Sequence, residues 1–183
     1  MGIFALIYYS LCDIISYTGG NMKEYEYTFK VDDVIPYIQY CEDNGFKKKS
    51  VTKQNRKVFE NQNAKHIIAR ITTTIQDGEE NIVLDFKNVG NKSKHFKISE
   101  ESLPLTIKKD DIKIVLSMLE VVDFTLSADN HRTRYEYIKD DIKFEIDDYT
   151  IPPMKIVAIE GKEEKVEEIV NNLQNIINHK SQY

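Results

Sequence analysis

Glu24, Glu26 and Lys30 fall on one face of a stretch that alternates residue by residue, with Tyr25, Tyr27, Phe29 and Val31 on the other. The same alternation places Arg70 in mid-strand on the face of Ile68 and Thr72, and Lys87 on the face of Asp85. It groups Arg132, Arg134 and Glu136, and it groups Glu145 with Asp147 opposite Phe144 and Ile146. Carboxylates are hard oxygen ligands for divalent cations. Arginine grips phosphate oxygens in pairs and lysine acts as a point charge. Closing such a sheet with these faces inward would make a tunnel lined by both signs, suited to a polyphosphate. For any single charge the plainer account is a solvated face of a half-buried sheet, or a cross-strand pair with Glu26, Glu101 or Asp147.

Other chemistries find little support. His66, His95, His131 and His179 have no metal-ligand spacing and read as surface or turn residues. Cys12 and Cys41 form neither a disulfide framework nor a zinc motif, and Cys41 reads as a small buried residue on a helix in a reducing cytoplasm. There is no glycine-rich phosphate loop and no serine or cysteine nucleophile motif. The tyrosines read as packing, and Lys47-Lys48-Lys49 reads as a solvated strand start.

The elements that must position these charges are legible from periodicity. Lys23–Val31 is a strand; Asp32-Asp33 opens a helix carrying Val34, Ile35, Ile38 and Cys41, stopped by Asn44-Gly45. Phe46–Phe59 is extended, Asn61–Asn63 turns, and Lys65–Gln76 is a β-branched strand. Asp77-Gly78 marks a hairpin into Asn81–Lys87, and Gly90-Asn91 marks a turn before Lys94–Ser99. Asp110–Val121 is an amphipathic helix with Ile112, Val115, Leu116 and Leu119 on one face. Val122–Ser127 and Arg132–Ile138 flank an expected turn at Asp129-Asn130, and Lys139–Asp141 turns into Ile142–Asp147. Lys155–Ile159 is the last strand, and a helix with Val166, Ile169, Val170, Leu173 and Ile177 follows Gly161. About eight strands joined mostly by hairpins, with three helices, predict an α+β fold: a closed antiparallel β-barrel with helices packed outside.

The 183 residues suit one domain, 41% apolar and 30% charged. A net charge of −5 excludes a global binder of nucleic acid or anionic membrane, so any anion must meet a local cluster of bases. Residues 1–21 are an apolar extension before the domain at 22–183. Ile3–Tyr17 is too short for a membrane span, and the first lysine, Lys23, comes too late for a secretory signal. Thr18-Gly19-Gly20-Asn21-Met22 can be encoded with a ribosome-binding sequence ahead of an ATG. Translation from Met22 and a membrane anchor both stand as readings, and intact-mass measurement of the native protein separates them.

In this order the charged strands resemble the CYTH family, the triphosphate tunnel metalloenzymes. Glu24-Tyr25-Glu26-Tyr27-Thr28 is similar to the family's ExExK strand, Ala69–Thr72 to its RxR strand, and Leu84–Lys87 to its strand ending in lysine. Lys97–Glu101, His131–Tyr135, Glu145–Asp147 and Ala158–Gly161 resemble the later strands, so the likeness spans Lys23 to about Asn178. Thr28 stands in place of the family's lysine, Thr72 in place of its second arginine, and Ala158 in place of the first glutamate of the closing pair.

The resemblance implies that Glu24, Glu26 and Glu160 hold Mg²⁺ or Mn²⁺, with Glu101 and Asp147 as further metal candidates. It implies that Lys30, Arg70, Lys87, Arg132 and Arg134 bind phosphate, with Glu24, Glu26, Arg70 and Glu160 as the catalytic set. The expected function is metal-dependent hydrolysis of a triphosphate: inorganic, nucleotide or thiamine triphosphate. The alternatives are a class IV adenylyl cyclase, a non-catalytic nucleotide or polyphosphate module, and a structural barrel. A cytoplasmic chain is expected, with a small-molecule triphosphate as partner. Relatives often pair through their outer faces, which makes a homodimer a further expectation.

Overall fold

The computed structural model describes residues 24–89 and 97–180, with side chains described for 26–89 and 100–173. The apolar segment 1–21 and the turn at Gly90-Asn91 lie outside these residues.

Among the described residues nine strands and three α-helices follow one another: β1 (Glu24–Val31), α1 (Ile35–Asp43), β2 (Lys47–Asn61), β3 (Ile67–Gln76), β4 (Glu79–Asn88), β5 (Lys97–Glu101), β6 (Leu105–Thr106), α2 (Ile112–Val121), β7 (Phe124–Lys139), β8 (Ile142–Ile151), β9 (Pro153–Gly161) and α3 (Glu163–Lys180). The expected turn at Asp129-Asn130 is corrected, because β7 runs unbroken for 16 residues. Asp129 lies there beside Lys57 and Asn55 of β2, so its polarity serves a cross-strand pair instead of a turn. His131 likewise sits within the strand, its ring against Asn55. The Asp77-Gly78 hairpin is as expected, both residues taking positive φ.

All pairings are antiparallel, in the order β3-β2-β7-β8-β9-β1-β5-β4-β6 with an added β3–β4 ladder. The α+β class holds, but the closed barrel is corrected: the sheet is an open half-barrel. The reason lies in β5. The β2–β3, β3–β4, β7–β8 and β8–β9 ladders join eight or more residue pairs each. Five-residue β5 meets β1 over three pairs and β4 over two, so that wall is short.

Packing lies on the convex side, in two clusters. Tyr137, Phe144, Ile146, Val157 and Ile159 point outward from β7, β8 and β9 and are covered by Val34 just ahead of α1, Tyr37 and Cys41 of α1, and Val166, Val170 and Leu173 of α3. Phe59, Ala69, Ile71, Ile82 and Phe124 form the second cluster, with Leu119 of α2 and Ile107. No helix among the described residues is long and apolar enough to cross a membrane.

Ile146 has no exposed surface, whereas Thr28 faces the open side. Ile146→Ala should cost about 2–5 kcal/mol, read as a lower urea midpoint. Thr28→Ala should stay within about 0.5 kcal/mol. Equal losses would refute a core carried by the convex face.

Candidate functional site: a charged concave face

Residues opposite one another in a ladder point to the same side of a sheet. The register therefore carries the charged residues around a single surface. From β1 the partners run Glu26 with Glu160, Thr28 with Ala158, and Ala158 with Glu145. Glu145 opposes Glu136, and Asp147 opposes Arg134. Arg134 and Arg132 oppose Thr52 and Gln54 of β2, and Arg56 opposes Thr72 of β3. Arg70 opposes Asp85, and Lys87 opposes Glu101. The apolar residues between them are those of the two outer clusters.

This concave face is drier than a solvated sheet face. Arg70, Arg132, Arg134, Lys87, Asp85, Glu145 and Asp147 are all below 10% exposed. Charges so removed from water need partners. Arg70 donates to Asp85 Oδ1 at 2.5 Å and to Glu101 Oε2 at 2.8 Å. Arg134 donates from Nε and Nη2 to the two oxygens of Asp147, both at 2.8 Å, and its Nη1 meets Glu145. Arg132 reaches Asp147 at 2.9 Å, Gln54 Oε1 at 2.8 Å and the Tyr149 hydroxyl at 2.6 Å. Lys87 is 2.7 Å from Glu101 and 3.8 Å from Glu26. Lys143 meets Glu145 and lies 3.1 Å from Glu160.

Arg56 is the exception. Its Nε donates to Thr72 Oγ1 at 3.0 Å, and no carboxylate stands within ion-pair distance of it among the described residues. Burial, followed by the like charges of Arg132, Arg134 and Arg70, pushes its pKa down to about 9. The opposite happens to the paired acids. Burial alone would raise Glu101 and Glu145, but Arg70 and Lys87 pull the first to about 2, and Arg134 and Lys143 pull the second to about 2. Burial would lower Arg134 and Lys143, yet Glu145, with Asp147 and Glu160 respectively, raises them.

The residues expected from sequence thus separate. Glu26, Arg70, Lys87, Glu101, Arg132, Arg134, Asp147 and Glu160 share this face. Lys30 lies on it too, at an exposed position opposite Ile156. Glu24 lies on β1 in register with Ser99, and its side chain is outside those described. Among the described residues no three of His, Cys, Asp and Glu converge as a metal cluster. Sequence reasoning passed over Arg56 and Lys143, and gave no role to Asp85, Glu136 and Glu145. Period two within β2 and β8 was the available signal: Arg56 follows Thr52 and Gln54, and Lys143 precedes Glu145 and Asp147.

A pH dependence follows. Glu101 and Glu145 titrate near 2 when folded, against about 4.5 for an ordinary glutamate. A carboxylate held low in the fold stabilises it fully above the ordinary value, and that stabilisation is lost as pH falls toward the folded one. The melting temperature should therefore hold down to about pH 4.5 and fall steeply from there toward pH 2. In Glu145→Gln the fall should be shallower. An unchanged acid profile in that variant would remove Glu145 from the buried network.

No family model and no curated protein sequence matches the chain. Solved structures do. PH1012 of Pyrococcus horikoshii OT3 superposes with a TM-score of 0.63 at 15% identity, over 83% of this chain and 88% of that one. PH1819 of the same organism gives 0.60 at 17%, over 85% and 89%. HpAC1 of Hippeastrum, named for an adenylyl cyclase and described by its dominant triphosphatase activity, gives 0.59 at 13%, over 87% and 88%. At such identities these likenesses speak for the backbone. The chain shares its fold with these CYTH-like structures.

Proposed function

We propose that the concave face binds the triphosphate group of a small molecule and, with a divalent cation, hydrolyses it. The observation that carries this reading is Arg56: a guanidinium set among three others, with a hydroxyl for its neighbour, the Glu145 charge at longer range, and no carboxylate within ion-pair distance among the described residues. An anion in that place would relieve the repulsion and receive donors from several strands at once. The names of the structural neighbours, which include adenylate cyclases and a triphosphatase, agree with it.

In the proposed reaction a water oxygen bonds to the terminal phosphorus as the bridging P–O bond breaks and the diphosphate leaves. Arg56, Arg70, Arg132, Arg134 and Lys87 would hold the phosphate oxygens and offset the charge that gathers on them. For the cation the donor chemistry fits: Glu26 and Glu160 oppose one another across β1 and β9, a like-charge pair that a hard cation would stabilise. Glu24, Glu26 and Glu160 would hold Mg²⁺ or Mn²⁺, which supplies polarisation of the phosphoryl group. Glu101 and Asp147 instead serve to fix the arginines and Lys87, given their contacts. Ala158, where the resembled family carries a glutamate, favours a second reading, a binding module without turnover.

Phosphate release from tripolyphosphate, ATP and thiamine triphosphate with Mg²⁺ or Mn²⁺, beside a cyclic-AMP assay, tests the reading. Release without cyclic AMP is expected. Saturable binding without release would leave the module, and no binding at all would end both.

Arg56→Gln should weaken triphosphate binding by about 10- to 100-fold, the worth of a charge-assisted hydrogen bond. It should leave the melting temperature unchanged or raised, since a repelled charge is gone. Undiminished affinity would exclude Arg56 as a phosphate contact.

Glu26→Gln tests the cation separately. Mg²⁺ with tripolyphosphate should raise the melting temperature of the unaltered protein by mass action and that of the variant much less. The same shift in both would move any cation away from Glu26.

A further inference from the structure

Hydrolysis needs a group to take the proton that water loses, and one carboxylate of the concave face is placed for it. Glu136 of β7 opposes Ser50 of β2 on one side and Glu145 of β8 on the other. The Ser50 hydroxyl donates to Glu136 Oε2 at 2.5 Å. Oε1 accepts no hydrogen bond among the described residues. The one cation within ion-pair distance of it there is the Lys143 ammonium, 3.8 Å away and closer to both Glu145 and Glu160. Arg134 lies two residues earlier on the same face of β7. Side chains on one face of a strand recur about every 7 Å. A phosphoryl group held by Arg134 would therefore set a water beside its phosphorus within reach of Oε1.

The other acids of this face have duties already. Asp85 and Glu101 bind Arg70, and Glu145 and Asp147 bind Arg134. A carboxylate so held is a weak base: Glu101 and Glu145 titrate near 2. Glu26 and Glu160 are assigned above to the cation. Glu136 touches no guanidinium and is left without a ligand duty. Resting on the triphosphatase reading, we infer that Glu136 is the general base of the reaction. The water oxygen bonds to the terminal phosphorus while one of its protons passes to Glu136 Oε1. The bridging P–O bond breaks, and its electron pair leaves on the diphosphate. The proton returns to solvent once phosphate has departed. Ser50 holds Oε2, which turns Oε1 toward the water. The charged and polar groups that face Glu136 are Ser50 from β2, Arg134 from β7, and Lys143 and Glu145 from β8.

Tripolyphosphate turnover by the full chain with Mg²⁺, measured across pH, tests this. Glu136→Gln, which keeps an oxygen for Ser50, should lower kcat by about 100- to 10,000-fold. KM, calorimetric affinity for tripolyphosphate and melting temperature should hold. The fall of kcat toward low pH, expected in the parent as the base takes up a proton, should vanish in that variant. Glu136→Asp should bring it back, with kcat between the two. If Glu136→Gln fails to fold, Ser50→Ala carries the test, with kcat down about 10-fold at unchanged KM and no change overturning the inference. Turnover of Glu136→Gln within about 3-fold of the parent, or an intact acid limb, would overturn it. So would equal loss of affinity and kcat, which would make Glu136 a binding group. In each of these cases the parent still releases phosphate and the triphosphatase reading stands. A parent that releases none would end that reading, and the base with it.

Discussion

Ionised side chains leave water only where opposite charge meets them, and the arrangement of this protein depends on that constraint. An unpaired buried ion costs several kcal/mol. A β-sheet supplies partners when charged residues recur at every second position on neighbouring strands in matching register. Arg70 with Asp85, and Arg134 with Asp147, are such direct register partners. A slip of one residue in β8 would send Glu145 and Asp147 into the outer core and Phe144 and Ile146 into the charged face. The ion pairs and the apolar clusters thus enforce the same register from opposite sides.

Division of the strands into two chemical faces also separates their duties. Stability resides on the convex side, where α1 and α3 cover β7, β8, β9 and β1, and α2 covers β2, β3 and β4. Charge resides on the concave side, where apolar packing is not called on to fill space. The charged residues can therefore vary without dismantling the core, provided that each buried charge keeps a polar partner. Thr72 illustrates this. The resembled pattern carries an arginine on β3 at that place, whereas here Arg56 of β2 is its register partner and donates to its hydroxyl. A guanidinium thus stands beside the Thr72 hydroxyl, delivered from the neighbouring strand.

Much of this was legible in the chain because period two is a local signal. Tyr25 to Phe29 and Phe144 to Ile146 declare their faces within five residues, and charged members of the site follow from them. The hairpins at Asp77-Gly78 and Lys139–Asp141 declare themselves through turn chemistry. Asp129-Asn130 looked like another turn because Asp and Asn favour turns when nothing else holds them. Lys57 and Asn55, more than 70 positions earlier, hold Asp129 in a strand, and a local reading has no access to that pairing. Arg56 escaped for the same reason: its distinction lies in what its neighbours on β3 and β7 lack. Closure of the barrel also depended on a distant quantity, the length over which β5 meets β1 and β4.

Near-neutrality of the concave face links the two ligands that the proposed function needs. Among its described residues, Arg56, Arg70, Lys87, Arg132, Arg134 and Lys143 face Glu26, Asp85, Glu136, Glu145, Asp147 and Glu160, with the more exposed Glu101 at the rim. A triphosphate entering such a face gains donors only by competing with carboxylates already bound to them. On the proposed reading a divalent cation held by Glu26 and Glu160 would change that balance, because those acids would turn to it. Lys87 and Lys143 would then have fewer carboxylates to share. Each ligand would then improve the field met by the other, and such coupling is reciprocal by thermodynamic necessity. Arg56 stands outside the competition, since no carboxylate must be displaced from it. On the proposed reading it is the place where a phosphate would first bind without breaking an ion pair of the described residues, before a cation rearranged the rest.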